Sequence, residues 1–240
     1  MKKKIYLIVI AVVLGLYFIS PLSPIVVINK SVHFVFEETL DLFYYDVDGE
    51  PYDNDDIEDI KRLKRMKNFK IQGNNITDFS FFKELNGLEN ILLWGNYEYI
   101  DLSSIKYCKN LKKFYGGAFC LENLDIFKEC TNISTLSVEV VDDRLLLNEK
   151  STLYDISAVK YLSNLEYFSV AGNNIEDISA LKECKKIKTV KIKGIADDTD
   201  SSVFLELPEL KYLEIDKGVL SDDLKEKLIA KGVEVKEYDY

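Results

Sequence analysis

Residues 165–186 read LEYFSVAGNNIEDISALKECKK, with the spacing L-x-x-F-x-V-x-x-N-x-I-x-D-I-S-x-L-x-x-C. Near-copies begin at Met66, Leu88, Leu111, Ile133, Leu165, Ile187 and Leu210, at intervals of 22, 23, 22, 32, 22 and 23 residues. Self-similarity at this period marks a solenoid. Each unit has an apolar face that it cannot bury alone, and stacking the units makes one continuous core.

Most positions of the unit are explained by that core. Alternate residues of a short strand point inward, giving one column of Phe69, Ile91, Phe114, Leu136, Phe168, Val190 and Leu213. A second column holds Ile71, Leu93, Gly116, Val138, Val170, Ile192 and Ile215. In the return half, Asp78, Asp101, Asn123, Asp155, Asp177 and Asp200 form one column, and Ser80, Ser103, Asp125, Ser157, Ser179 and Ser202 lie two residues on. An oxygen of the latter set is expected to cap a short helical turn, while Phe82, Ile105, Phe127, Val159, Leu181 and Phe204 fill the interior. Three of the four cysteines, Cys108, Cys130 and Cys184, share one column with Leu85, Leu162 and Leu207. They read as small buried apolar residues, and Cys120 stands outside the column. Asn74, Asn96 and Asn173 take the position where an amide satisfies the backbone after the strand, in an incomplete ladder. Residues 141–152, VDDRLLLNEKST, lengthen the fourth unit on one rim, where insertions often carry function.

The ends differ from the middle. Lys2–Lys4 precede Ile5–Ile19, fifteen uncharged residues, and the uncharged stretch continues to Ile28 past Pro21 and Pro24. Fifteen helical residues reach only ~22 Å, the length of a signal h-region, whereas 5–28 could span a membrane. Residues 1–28 are therefore expected to form a signal anchor, retained or cleaved, that leaves the lysines inside and the repeats outside. Residues 29–65 are expected to form a linker and a half-repeat cap, with Leu40, Leu42 and Phe43 on a strand and Asp56-Ile57-x-x-Ile60-x-x-Leu63 matching the back of a unit. Repeats then run over 66–219. At 220–240, Ser221 starts a helix, Gly232 stops it, and Val233–Val235 adds a strand as a C-terminal cap. The acidic run at Asp46–Asp59 lacks the spacing of a calcium loop, and Lys61, Arg62, Lys64, Arg65 and Lys67 follow it at once. No metal site and no cofactor are expected.

With 22-residue units and an intact I-x-D-I-S turn at Ile175–Ser179, the chain resembles the bacterial internalin-type class of leucine-rich repeat proteins from Asp56 to about Ile215. The resemblance implies an α/β solenoid with a curved parallel β-sheet on the concave face and short 3₁₀ or α turns on the convex face. It also implies protein binding, often at a cell surface. Neither a wall-sorting motif nor a second domain is evident.

A ligand would meet the outward strand positions that the core leaves free. Among these, Leu92, Trp94 and Tyr115 make an aromatic patch on adjacent coils, with Trp94 the chain's only tryptophan. Lys188, Lys191 and Lys193 make a basic stripe, and Lys113, Tyr167 and Tyr212 complete the candidate concave surface. The net charge of −10 argues against general nucleic-acid binding. A single histidine, His33, lies outside the repeats and supplies no nucleophile–base pair in them, so no enzyme activity is expected. The reading is a membrane-anchored, outward-facing module that binds a protein or peptide on its concave face. The alternatives are a structural cell-envelope component without a dedicated concave ligand, or a secreted form after signal cleavage.

Overall fold

A computed structural model describes residues 25–28, 31–34, 36–43, 52–73, 75–94, 100–119, 121–140 and 153–238. The strands are β1 (Ile25–Ile28), β2 (Ser31–Phe34), β3 (Thr39–Phe43), β4 (Asn68–Gln72), β5 (Asn90–Trp94), β6 (Lys113–Phe119), β7 (Thr135–Val140), β8 (Tyr167–Ile175), β9 (Thr189–Ile195), β10 (Tyr212–Asp216) and β11 (Glu234–Tyr238). Strands β3 to β11 form one nine-stranded sheet in strict chain order, and every pairing within it is parallel. From β4 to β10 each strand returns to the next through a short turn, at Ser80–Glu84, Ser103–Tyr107, Asp125–Phe127, Ser157–Tyr161, Ser179–Glu183 and Ser201–Glu206, all 3₁₀.

The unit length dictates this shape. Twenty-two residues leave room for one five-residue strand and one tight turn, so neighbouring coils must pair directly. The register is in phase: Phe69, Ile91, Phe114, Leu136, Phe168, Val190 and Leu213 occupy one ladder and are all at most 1% exposed. Behind them Phe82, Ile105, Phe127, Val159, Leu181 and Phe204 are fully buried. The N-terminal coils are rich in phenylalanine, where Phe69, Phe79, Phe81 and Phe82 meet at ring distances of 4.9 to 5.9 Å.

The turns are capped by the aspartate column, not by the serine column expected from sequence. Oδ1 of Asp78, Asp101, Asn123, Asp155, Asp177 and Asp200 accepts the backbone N–H two residues on, at 2.7 to 3.0 Å. This is the Asx-turn geometry, in which a carboxylate or amide oxygen two residues back reaches the amide without leaving a rotamer well. The serine amides and hydroxyls hold the Asp78 and Asp177 carboxyls below the usual range, against a smaller effect of burial.

Asparagines immediately before the repeat start form a second ladder that the sequence reading missed. Asn110 Nδ2 donates to the Asn86 carbonyl, Asn132 to that of Lys109 and Asn164 to that of Thr131, at 2.8 to 3.1 Å. Its signal was present in the sequence as Asn before Leu111, Ile133 and Leu165. The side chains of Asn74, Asn96 and Asn173 lie outside what is described, as does Cys120.

Cys108, Cys130 and Cys184 are fully buried free thiols. Each Sγ donates one coil back, to the carbonyl of Phe82, Ile105 or Val159, at 3.9, 3.3 and 3.3 Å. The thiol thus adds a weak donor that leucine lacks, and burial pushes all three pKa values up to about 12. A water-soluble maleimide is therefore expected to leave these three thiols unmodified in the folded chain and to label them in denaturant. Mass spectrometry after a timed pulse reads the difference.

Both caps are built. At the C-terminus Ser221 Oγ accepts from Leu224 N at 3.3 Å and starts helix α2 (Asp222–Ala230), and β11 then closes the sheet. At the N-terminus β3 opens the sheet, and Ile57 and Ile60 of the one-turn helix α1 (Ile57–Ile60) enter the core with Leu63. Asp53 and Asp56 make a reciprocal capping box before α1. Lys61 pairs with Glu58 at 2.6 Å and Arg62 with Asp59 at 3.1 Å, so the basic run neutralises the end of the acidic run.

The expected membrane segment, 5–28, lies outside the described residues through position 24, as does the 141–152 insertion. Its last four residues correct the expectation of a span reaching 28. Ile25–Ile28 is β1, pairs antiparallel with β2, and buries Ile28 in the core. Two prolines at 21 and 24 followed by four β-branched residues favour a strand over a helix. Among the described residues no helix is long and apolar enough to cross a membrane.

Candidate concave binding face

Three ladders of outward side chains line the sheet. Asn68, Asn90, Lys113, Thr135, Tyr167, Thr189 and Tyr212 form the first. Lys70, Leu92, Tyr115, Ser137, Ser169, Lys191 and Glu214 form the middle one, and Gln72, Trp94, Gly117, Glu139, Ala171 and Lys193 the third. All eight sequence-predicted site residues therefore lie on this face, but their surroundings divide them into two groups.

The first group is the aromatic patch. Leu92 is half-buried, whereas Trp94 and Tyr115 remain 38% and 39% exposed. The indole lies against Gly117 of the next coil: a Cβ there would fall 2.6 Å from Trp94 Cζ3. Gly117 is thus a part of the patch that the sequence did not single out. It lets the ring lie down on the sheet, leaving a flat apolar surface. Lys113 is exposed beside the patch.

The second group is at the C-terminal end, where the expected basic stripe is largely neutralised. Lys188 pairs with Glu166 at 2.8 Å. Lys191 Nζ lies 3.0 Å from Glu214 Oε2, and Lys236 Nζ lies 3.0 Å from Oε1 of the same carboxylate. Tyr212 donates to Glu214 Oε2 at 3.1 Å, and the Tyr238 hydroxyl also bonds this group. Glu214 itself is only 3% exposed. Burial alone would push its carboxyl up, but hydrogen bonds from Tyr238, Lys191, Lys236 and Tyr212 outweigh it and hold the pKa at about 2. Burial and the bond to Glu214 push the Tyr238 phenol up in turn. Asp216, also buried, accepts from the amides of Gly194 and Ile195 at 2.6 and 3.0 Å. Lys193 differs from its neighbours: its ammonium sits 3.9 Å over the Tyr238 ring and has no carboxylate partner among the described residues.

Between the two groups the side chains are small. Ser137, Ser169 and Ala171 floor a hollow of about 200 Å³ walled by Tyr167, Lys191, Lys193, Tyr238 and Glu139. No cluster of His, Cys, Asp or Glu among the described residues is arranged to hold a metal ion.

No protein-family model and no curated protein matches the chain by sequence. Solved structures match it by shape. An internalin (inlF) from Listeria monocytogenes aligns with a TM-score of 0.56 and 18% identity over 77% of this chain, which spans 51% of that protein. Internalin C2 (inlC2) from the same species gives 0.54 and 19% over 77% of this chain and 76% of the other. A TLR13–ssRNA13 complex gives 0.50 and 15% over 75% of this chain, covering 26% of the receptor. Similarity at these identities concerns the fold. Together with the repeat period, the in-phase parallel ladder and the 3₁₀ returns, it shows that the chain has the leucine-rich repeat fold seen in these internalins.

Proposed function

We propose that this protein is a non-catalytic binding module that takes a protein or peptide on its concave face, held at a membrane by 5–24 with its repeats outward. The observation that carries the reading is the exposed Trp94 indole laid on Gly117 beside Tyr115. Buried aromatic cores of this kind dominate binding energies once a partner covers them, and both rings stand on a rigid sheet. A net charge of −10 disfavours a nucleic-acid ligand, although the TLR13 structure is of an RNA complex. The anchor rests on Ile5–Ile19 and its preceding lysines.

Replacing both rings, Trp94→Ala with Tyr115→Ala, is expected to abolish capture of the partner recovered by the wild-type chain and to leave the melting temperature within a few degrees, because neither ring is in the core. Undiminished capture would refute the concave assignment and leave a structural envelope role. For the membrane part, external protease applied to intact cells is expected to remove the repeats while a short fragment stays with the membrane. Protection until lysis would place the repeats inside.

A further inference from the structure

The hollow over Ala171 carries more donors than its own residues use. The hydroxyls of Ser137, Ser169 and Tyr167 have no hydrogen-bond partner among the described residues, and Lys193 has no carboxylate. The nearby acids do not meet that demand: Glu214 is spent on two lysines and two tyrosines, and Asp216 Oδ2 on two amides. Glu139 stands alone on β7, two strands from Lys193. That polarity gives the hollow a direction, since an anion is favoured at the Lys193 end and repelled at the Glu139 end. A volume of about 200 Å³ suits one side chain.

We propose that this hollow seats an aspartate or glutamate side chain of an extended partner peptide, whose apolar side chain four to six residues away rests on Trp94 and Tyr115. The spacing follows from the fold. The aromatic patch spans β5 and β6 and the lysine sits on β9, three to four strands away at ~4.8 Å each. An extended chain crossing ~14–19 Å at ~3.3 Å per residue places the two anchors about four to six residues apart. Serine and tyrosine hydroxyls with one ammonium make a carboxylate site by point charge and donors rather than by a guanidinium fork. This inference stands on the concave-face reading and specifies the kind of partner it serves.

The test is selection of a display library of random linear peptides, each about 12 residues long, against the immobilised full chain. Wild type, Lys193→Glu, Lys193→Met and Trp94→Ala/Tyr115→Ala are run in parallel. Peptides from wild type are expected to carry an apolar or aromatic residue and an acidic residue four to six apart. Lys193→Met should remove the acidic preference and keep the apolar one, while Lys193→Glu should reverse it toward lysine or arginine. For a synthetic peptide from the wild-type pool, Kd should rise about tenfold on Lys193→Glu and recover when its acid is changed to lysine. An acidic preference that survives Lys193→Glu, or a wild-type pool without one, overturns the carboxylate hollow. A pool no richer on wild type than on Trp94→Ala/Tyr115→Ala overturns the concave-face reading beneath it.

Discussion

Phe82→Ala is expected to lower stability by about 4 kcal/mol, the upper range for a large side chain removed from a core that cannot collapse. Phe82 is fully buried and meets Phe69, Phe79 and Phe81 at 5.5, 5.5 and 4.9 Å between ring centres. Phe69 is held in the strand ladder and Phe79 and Phe81 at the buried 3₁₀ return, so they have little freedom to fill the void. Phe82→Leu keeps most of the volume and should cost about 1–2 kcal/mol. Solenoids couple mainly through nearest neighbours, so the loss should be local. Amide exchange should speed up in β4 and β5 well before β9 and β10. Uniform loss of protection along the sheet would show that the array unfolds as one unit.

Glu214→Gln tests the other end. It leaves Lys191, Lys236, Tyr212 and Tyr238 around a neutral amide, and is expected to cost on the order of 3 kcal/mol at pH 7, with exchange in β11 rising first. The carboxyl is held at about 2 against an ordinary 4.5. A depressed folded pKa stabilises above the unfolded value and loses that contribution as pH falls through the folded one. Wild type should therefore outlast the variant fully above about pH 4.5, and the gap, about 3 kcal/mol by linkage, should close as pH approaches 2. Urea unfolding of both chains at pH 7, 4 and 3 measures it. A gap that stays constant with pH would mean that the lysines are solvated and Glu214 merely fills space.

The repeat was legible in the sequence because its causes are local and periodic. A strand that alternates and a turn that needs an aspartate leave marks at fixed offsets, and the leucine column accounts for Cys108, Cys130 and Cys184. The sequence reading assigned the capping oxygen to serine, whereas aspartate supplies it, because both recur at the same period and only distance separates them. At the concave face the sequence located the residues but not their freedom. Lys191 and Glu214 are neighbours only through stacking, and Glu214 and Asp216, outward by alternation, are buried at the C-terminal end where β11 closes the sheet. Gly117 was hidden for the opposite reason: its role is to have no side chain where Trp94 lies down. At the N-terminus, uncharged residues 20–28 read as one apolar stretch, yet Ile25–Ile28 belongs to the fold.

The central claim is that binding occurs on the concave face. A photo-crosslinking amino acid placed at Tyr115 on that face, and in a second chain at Tyr161 on the convex turns, tests it most directly in intact cells. Both positions are exposed, at 39% and 45%, so neither substitution disturbs the core. Irradiation is expected to give a discrete adduct from position 115 and none from 161, with the 115 adduct lost when Trp94→Ala is added. An adduct from 161 alone, or one from 115 that is indifferent to Trp94, would contradict the account.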